Sequence, residues 1–520
     1  MHENRETSET PAVKPGGRSA SEGDSHTARA DVSEESHSGI LPMNYSNNDK
    51  TSSAESREGR PLIKENAGHP NTYPTQSGKG VSQGLAGVRK AARENKEMKF
   101  TAVLHHLTVD LLRESFYSLK KKAAPGVDGI TWQEYEAGLE DRVIDLHGRV
   151  HRGAYRALPS RRVYIQKEDG RQRPLGVAAL EDKIVQYAVA TILNQIYEED
   201  FLGFSYGFRP GRSQHNALDA LSYALLKKKV NYIVDADIAS FFDNLDKSWL
   251  MKFVEHRVAD PRILRLIQKW LKAGVMEEGK WSEPKTGSPQ GSVISPLLAN
   301  IYLHFVFDLW VNVWRKKWAQ GEVVVIRYAD DTIVGFQYRT DADRFLENLR
   351  ERLAMFGLEL HPDKTRRIEF GRYAEENRKR RGEGKPETFD FLGFTHISGK
   401  NSLGRFAVRR KTIRKRMQSK LRRIKPELRK RMHDPLSQTG QWLKSIVRGY
   451  FNYYAVPGNT ASLCVFRHRL LVHWWHTVRR RSQKHRISWT RMLALAKRWL
   501  PEPQVLHPFP DARFAVTHPR

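Results

Sequence analysis

The chain has 520 residues, room for two or three domains, and 39% hydrophobic residues with 12 Trp, 22 Phe and 18 Tyr from which to build a core. Its 88 Lys+Arg against 59 Asp+Glu give a formal net charge of +29 and a pI near 10.0, more than solubility requires and matched to a polyanionic partner. Cys464 is the single cysteine, which excludes disulfide frameworks and Cys-based zinc sites within the chain; with no secretory pattern at the N-terminus and no apolar run long enough to span a bilayer, a cytoplasmic protein without membrane attachment is expected.

Residues 1–90 are rich in Ser, Gly, Asn, Glu and Pro and poor in large apolar residues, and are expected to be a disordered extension. Order is expected to begin near Val88–Phe100. Thr108 opens a helical pattern with Leu112, Phe116 and Leu119 on one side. From there to about residue 395 strand-like and helix-like segments alternate, an α+β pattern. Strands are expected over 162–166, 232–238, 323–328, 332–336 and 365–370, and helices over 183–197, 214–227 and 341–356.

Residues 162–166, followed by Lys167 through Gly176, read as a hairpin turning at Asp169-Gly170. Lys167, Arg171 and Arg173 would line its tip, either as a triphosphate clamp or as a solvated charged turn. In the next strand Asp235 and Asp237 point to one face and Ile238 to the other. A third segment, Gly287-Ser288-Pro289-Gln290-Gly291, is a close-approach loop leading into an apolar helix over 297–307. Tyr328-Ala329-Asp330-Asp331 then sits at the turn of a hairpin between two β-branched runs. Adjacent acids resist joint ionisation, and a divalent cation removes that cost. Three carboxylates from two strands are the hard oxygen donors that Mg²⁺ prefers. The alternatives are a polar turn at 328–331 and a strand end with an Asp-capped helix at 235–243.

From about Arg409 the pattern is helical and basic. Ile413, Met417, Leu421, Ile424, Leu428 and Met432 form one apolar stripe, and Pro426 is expected to kink or divide the helix. Residues 401–520 hold 28 Lys+Arg and four acids, so 28 − 4 = +24, most of the total excess. Basic residues interleaved with aromatics suit RNA phosphates and unpaired bases.

The ordered motifs identify a resemblance to the group II intron-encoded reverse transcriptases, or maturases. They are Ala124-Pro125-Gly126-Val127-Asp128-Gly129, Arg173-Pro174-Leu175-Gly176, Tyr206-Gly207-Phe208-Arg209-Pro210-Gly211-Arg212-Ser213, Asp237-Ile238 with Phe242-Asp243, and Gly287 to Gly291. Tyr328 to Asp331, Leu360-His361-Pro362-Asp363-Lys364-Thr365, Phe391-Leu392-Gly393-Phe394 and Ile446 to Tyr454 complete the set.

The resemblance implies a right-hand polymerase, with fingers and palm over 91–395 and an all-α basic thumb and maturase region over 396–490. A short tail without an endonuclease domain is expected over 491–520. The resemblance also implies that Asp237, Asp330 and Asp331 are catalytic and hold two Mg²⁺, with Mn²⁺ as substitute and the Ile238 carbonyl as a further ligand. Asp235 is the rival to Asp237. Lys167, Arg173, Phe242, Gln290 and Lys364 are the implied nucleotide contacts, Phe242 as the gate against a ribose 2′-OH and Lys364 as an aid to pyrophosphate departure. Arg409, Arg410, Lys411, Arg414, Lys415, Arg448, Tyr450 and Tyr453 are the expected RNA contacts, the alternative for any single tyrosine being core. The implied partners are the intron RNA, target DNA, an RNA/DNA primer-template and deoxynucleoside triphosphates.

Overall fold

In a computed structural model that describes residues 76–166, 172–277, 279–282, 287, 291–482 and 487–517, the organising element is a four-stranded antiparallel sheet. Its strands are β3 (Tyr232–Asp237), β6 (Val323–Tyr328), β7 (Asp331–Phe336) and β8 (Arg366–Glu369), in the order β6-β7-β3-β8. Alternation along these strands divides them between two cores. Val234, Ala236, Val325, Val334 and Phe336 face a core that includes the helices Leu180–Asp200, Ser295–Leu303 and Arg339–Ala354. Ile233, Ile326, Ile333 and Ile368 face a second core, shared with the helices Gln214–Lys227, Arg414–Lys430, Leu436–Tyr454 and Thr460–Arg479. The sheet is therefore covered on both faces, and the basic C-terminal region packs directly on the strands that carry the acids.

Two smaller sheets flank this centre. One has the order β2-β1-β4-β5, from β1 (Ser160–Gln166), β2 (Gln172–Val177), β4 (Val275–Glu277) and β5 (Lys280–Ser282). The other has the order β11-β10-β9, from β9 (Thr388–Phe391), β10 (Phe394–Lys400) and β11 (Phe406–Thr412). Some helix starts are fixed by side-chain capping. Thr108 accepts from the Leu111 amide, Ser213 and Asn216 form a capping box, and Asp260 caps Pro261–Lys272 while also accepting from the amides of Val103 and Leu104 at 2.8 and 2.9 Å.

Several expectations are corrected. A helix, Gln76–Glu94, lies partly inside the segment expected to be disordered, and it buries Leu85, Val88 and Ala92; residues 1–75 lie outside the described residues. Residues 406–412, expected to lie inside an all-α region, are strand β11, paired antiparallel with β10. The limit expected at 395/396 falls inside β10. Pro426 lies within the continuous helix Arg414–Lys430 and does not divide it, while Leu421, Ile424 and Leu428 of the expected stripe are buried.

The segment after 490 is integral to the fold. Met492 and Ala496 are buried, and the last helix, Pro510–Thr517, returns to Gln214–Lys227, where Phe514 stacks on Tyr223 at 4.4 Å and Arg513 pairs with Asp219. One stretch, Ser295–Lys317, does reach the length and apolarity of a membrane span. Most of it is buried inside the protein, as expected of a core helix.

His396 gives the second core a measurable acid limit. It is fully buried in β10, stacked on Phe389 at 4.8 Å and 6°. Burial, with the Arg410 charge beside it, pushes its pKa down to about 3. The unfolded chain takes up this proton below about pH 6.5 and the folded chain does not. Stability should therefore fall as pH drops through that window, by up to about 1.4 kcal/mol per pH unit. His396→Phe is expected to flatten this slope in urea melts between about pH 4 and 7. An unchanged slope would show that His396 is not its source.

Candidate active site

The two acid-bearing segments meet at one edge of the central sheet. Asp237, the last residue of β3, is in register with Asp331, the first of β7. Both lie on the face that carries Ile233 and Ile333, by the period of two. Tyr328 pairs with Asp331, so Ala329 and Asp330 form a two-residue hairpin turn. Ala329 has φ +56°, which such a turn favours but alanine does not. A left-handed alanine costs roughly 1–2 kcal/mol, so the surroundings must hold it.

Arg327 is central to that hold. It is fully buried, and its guanidinium donates to the Ala329 carbonyl at 3.0 Å. Nε and Nη2 make a bidentate pair with Asp308 at 2.7 and 2.5 Å, Nη1 donates to Asn300 Oδ1 at 3.1 Å, and Nη2 donates to Ser205 Oγ at 2.7 Å. Asp308 comes from a π-helical turn, His304–Asp308, between two α-helical segments.

The Tyr206 to Ser213 motif completes the frame. The Tyr206 amide donates to the Arg327 carbonyl at 2.8 Å, and the Asn300 side chain donates to the Gly207 carbonyl at 2.7 Å. Gly207 lies so close to the Ala329 backbone nitrogen that a Cβ there would overlap it. Arg209 pairs with Glu198 and donates to the carbonyls of Leu202 and Ser205, each at 2.9 Å. Sequence reasoning used this motif only as a family match. The signal that it missed is Arg327 itself, a charge within the apolar run 323–328, which burial requires to be paired.

The third strand end is fixed from the 360–365 loop. The His361 amide donates to the Asp237 carbonyl at 2.7 Å, and the Ala239 amide donates to Glu359 at 2.8 Å. Together they flank an Ile238–Leu360 bridge, which does not use the Ile238 carbonyl. Lys364 Nζ donates to Asp237 Oδ2 at 2.6 Å. Asp235 is deeper in β3, and its pKa is pushed up to about 7. Burial is the largest cause; Arg366 opposes it, and the charges of Asp331, Asp237 and Asp390 add to it. The charges of Asp237 and Asp331 thus bear on the buried carboxyl of Asp235.

Among the described residues no three His, Cys, Asp or Glu side chains are gathered as a ready metal cluster. The donor chemistry nevertheless fits a hard divalent cation. Asp237 and Asp331 face each other in register, Asp330 adjoins them, and Asp237 already holds one cation, the Lys364 ammonium.

The implied nucleotide contacts are placed in part. Phe242 lies in the short helix Phe241–Asn244, half-buried and edge-on to Phe241 at 5.3 Å. The Gly287 amide donates to the Leu245 carbonyl at 2.7 Å. With φ +88°, a Cβ on Gly287 would stand 2.8 Å from the carbonyl oxygens of Phe242 and Asp243. The glycine therefore lets the backbone at 287 seat on the Phe242 turn. Arg173 is paired with Ile165 near the hairpin tip. Lys167, Arg171 and Gln290 lie outside the described residues.

Of the expected RNA contacts, Arg409, Lys411, Arg414, Lys415 and Arg448 are exposed. Arg410, Tyr450 and Tyr453 are turned inward. Arg410 is buried against Asp219 at 3.5 Å, Tyr450 stacks on Phe466 at 3.6 Å, and the Tyr453 hydroxyl donates to the Leu392 carbonyl at 2.7 Å. All three serve packing, which leaves the five exposed cations as the remaining candidates of the expected set.

Comparison with known proteins agrees with this frame. Residues 165–396 match the family described as reverse transcriptase (RNA-dependent DNA polymerase). Protein YkfC of Escherichia coli is 36% identical over 245 residues, which are 42% of this chain and 64% of that protein. The group II intron-encoded protein LtrA of Lactococcus lactis is 34% identical over 239 residues, 45% of this chain and 40% of LtrA. A putative COX1/OXI3 intron 1 protein of Saccharomyces cerevisiae is 29% identical over 216 residues, 41% of this chain and 26% of that protein. The chain thus spans less than two thirds of the length of these relatives. The matched segment contains both acidic strand ends, the turn and its Arg327 support, so the similarity to reverse transcriptases falls on the site described above.

Proposed function

We propose that this protein is an RNA-directed DNA polymerase encoded by a group II intron. In this reading it also binds the intron RNA, assists its splicing and supports mobility by target-primed reverse transcription. The observation that carries the polymerase reading is the register of Asp237 with Asp331 beside a turn held from beneath by a buried guanidinium. The central sheet serves as palm, the β1–β2 hairpin as fingers and the helices after 414 as thumb.

Asp237, Asp330 and Asp331 would hold divalent cations, Mg²⁺ or Mn²⁺, with the Ile238 carbonyl as a further donor. The bound cations supply Lewis-acid stabilisation of the oxygens in an in-line displacement. Arg173, with Lys167, neutralises the triphosphate. Phe242 fills the space beside the sugar, where a 2′-OH would clash. Lys364 holds Asp237 in the absence of cation and is placed to donate to the departing pyrophosphate. The maturase role is supported by the similarity to the group II intron-encoded protein LtrA and by the +24 excess of residues 401–520, whose cations at 409, 411, 414, 415 and 448 are exposed.

The test is primer extension by the purified protein, with a DNA primer on an RNA template and deoxynucleotides. Full-length cDNA that disappears when the divalent cation is chelated is expected. Extension on DNA templates alone would overturn the RNA-directed reading. Splicing of the RNA that flanks the gene, with and without protein, tests the maturase role; equal splicing in both would remove it.

A further inference from the structure

The helix Pro261–Lys272 has an unusually clean division of faces. Ile263, Leu266, Ile267, Trp270 and Leu271 are buried in the core. Arg262, Arg265, Lys269 and Lys272 follow one another at spacings of three, four and three, and so share the other side. Arg265 and Lys272 are exposed, and Arg262 is tied to Asp260 at 3.2 Å.

Beside this face is an open cavity of about 450 Å³, lined by Arg156, Ala157, Arg265, Gln268, Lys269, Lys272 and Ala273. Four of these seven residues are cationic, and none of the lining residues is acidic. Lys269 is partly committed, since Nζ donates to the carbonyls of Gly153 and Tyr155 at 3.2 and 2.5 Å. These bonds tie the 153–157 loop, which carries Arg156, to the helix.

The cavity lies at the opposite end of β1 from Arg173. It lies where β1 and β4 begin in parallel, with Ser160 beside Val275 and the Ser160 amide bonded to Gly274 at 3.1 Å. Arg173 is paired with Ile165 near the other end of β1. Five residues of strand separate them by roughly 17 Å. A nucleotide held at Arg173 does not reach the cavity.

We propose that this cationic ridge binds the phosphate backbone of RNA at a site separate from the polymerase cleft. The proposal rests on the nucleic-acid reading above and adds a second contact region to it. The shape favours a backbone over a free nucleotide. A small-molecule pocket encloses most of its ligand, whereas this one is a shallow trough along a rigid helix. From Arg265 to Lys272 the helix rises roughly 10 Å, the axial span of about three charges on one strand of a duplex. No aromatic side chain lines the trough to stack on a base, so it positions RNA without reading sequence.

The test is binding of a labelled RNA duplex of about 20 base pairs and arbitrary sequence, measured by anisotropy across a salt series. The variant is Arg265→Gln/Lys272→Gln, which leaves the buried face of the helix and the Lys269 bonds intact. The slope of log K against log salt is expected to drop by about 2. Primer extension on a short RNA template should keep its wild-type rate. Lys316→Gln/Lys317→Gln makes the same charge change at another exposed site and is expected to leave the slope unchanged.

An unaltered slope in the first variant, or an equal drop in the second, overturns the ridge as a site. Loss of primer extension in the first variant places these cations on the template path and overturns its separateness. If the wild-type protein itself fails to bind the duplex, the nucleic-acid reading falls, which is a different result from either of these.

Discussion

Asp331→Ala and Asp330→Ala proteins are expected to give no full-length cDNA while keeping the fold. Asp331 stands opposite Asp237, where two strands deliver carboxylates in register. Losing either acid removes a hard oxygen donor for a divalent cation, whose charge stabilisation is worth several kcal/mol in reactions of this class. At 1.36 kcal/mol per factor of ten, a loss of about 4 kcal/mol is roughly a thousandfold in rate. Stability should move the other way. The Asp331 charge is one of the causes that, after burial, hold the pKa of Asp235 at about 7. An acid with a raised folded pKa costs stability once pH exceeds its unfolded value near 4, and the cost grows until pH passes the folded value. Removing the Asp331 charge lowers that folded pKa and so lessens the cost above neutrality. Thermal melts at about pH 8 should therefore show Asp331→Ala at least as stable as wild type. Full-length cDNA from either variant would exclude the acids from catalysis, and a lower melting temperature for Asp331→Ala would exclude the repulsion argument.

Strands β6 and β7 of the central sheet were legible because each is short, rich in β-branched residues and bounded by turn residues. Residues 323–328 and 214–227 are observed with the limits expected from sequence. The acids at 237 and 331 were each legible as strand-end carboxylates from local pattern, and the choice of Asp237 over Asp235 came from the motif of the resemblance. What failed depends on partners far along the chain. Arg410 lies in a basic stretch that reads as a solvated helix, yet it is buried against Asp219, 191 residues away. Tyr450 and Tyr453 sit in a segment that reads as an RNA-stacking surface. They are core because the outer face of the central sheet needs a cover, and the helix Leu436–Tyr454 supplies it. No local pattern carries that demand. Pro426 illustrates the reverse limit: propensity disfavours it inside a helix, but Leu421, Ile424 and Leu428 on both sides of it are anchored in the core.

Arg327→Met is expected to destabilise the protein by about 3–5 kcal/mol, the usual cost of leaving a buried charge without its partner. The charge left behind is Asp308, which is fully buried and whose pKa is already raised by burial despite the guanidinium beside it. Met occupies a similar volume, so the loss comes from charge and hydrogen bonds more than from a cavity. Pairing the change with Asp308→Leu separates two roles of the same side chain. Replacing a buried ion pair by apolar residues is often neutral or stabilising, so the double variant should regain much of the melting temperature. Its primer extension should stay low, because nothing then donates to the Ala329 carbonyl at 3.0 Å or to Ser205 and Asn300. Without those bonds the left-handed alanine is free to relax, and Asp330 and Asp331 lose their register with Asp237. A double variant that recovers activity together with stability would show that Arg327 only fills the core. Recovery of stability alone would make it a positioning residue, acting on the reaction through a backbone carbonyl that no substrate touches.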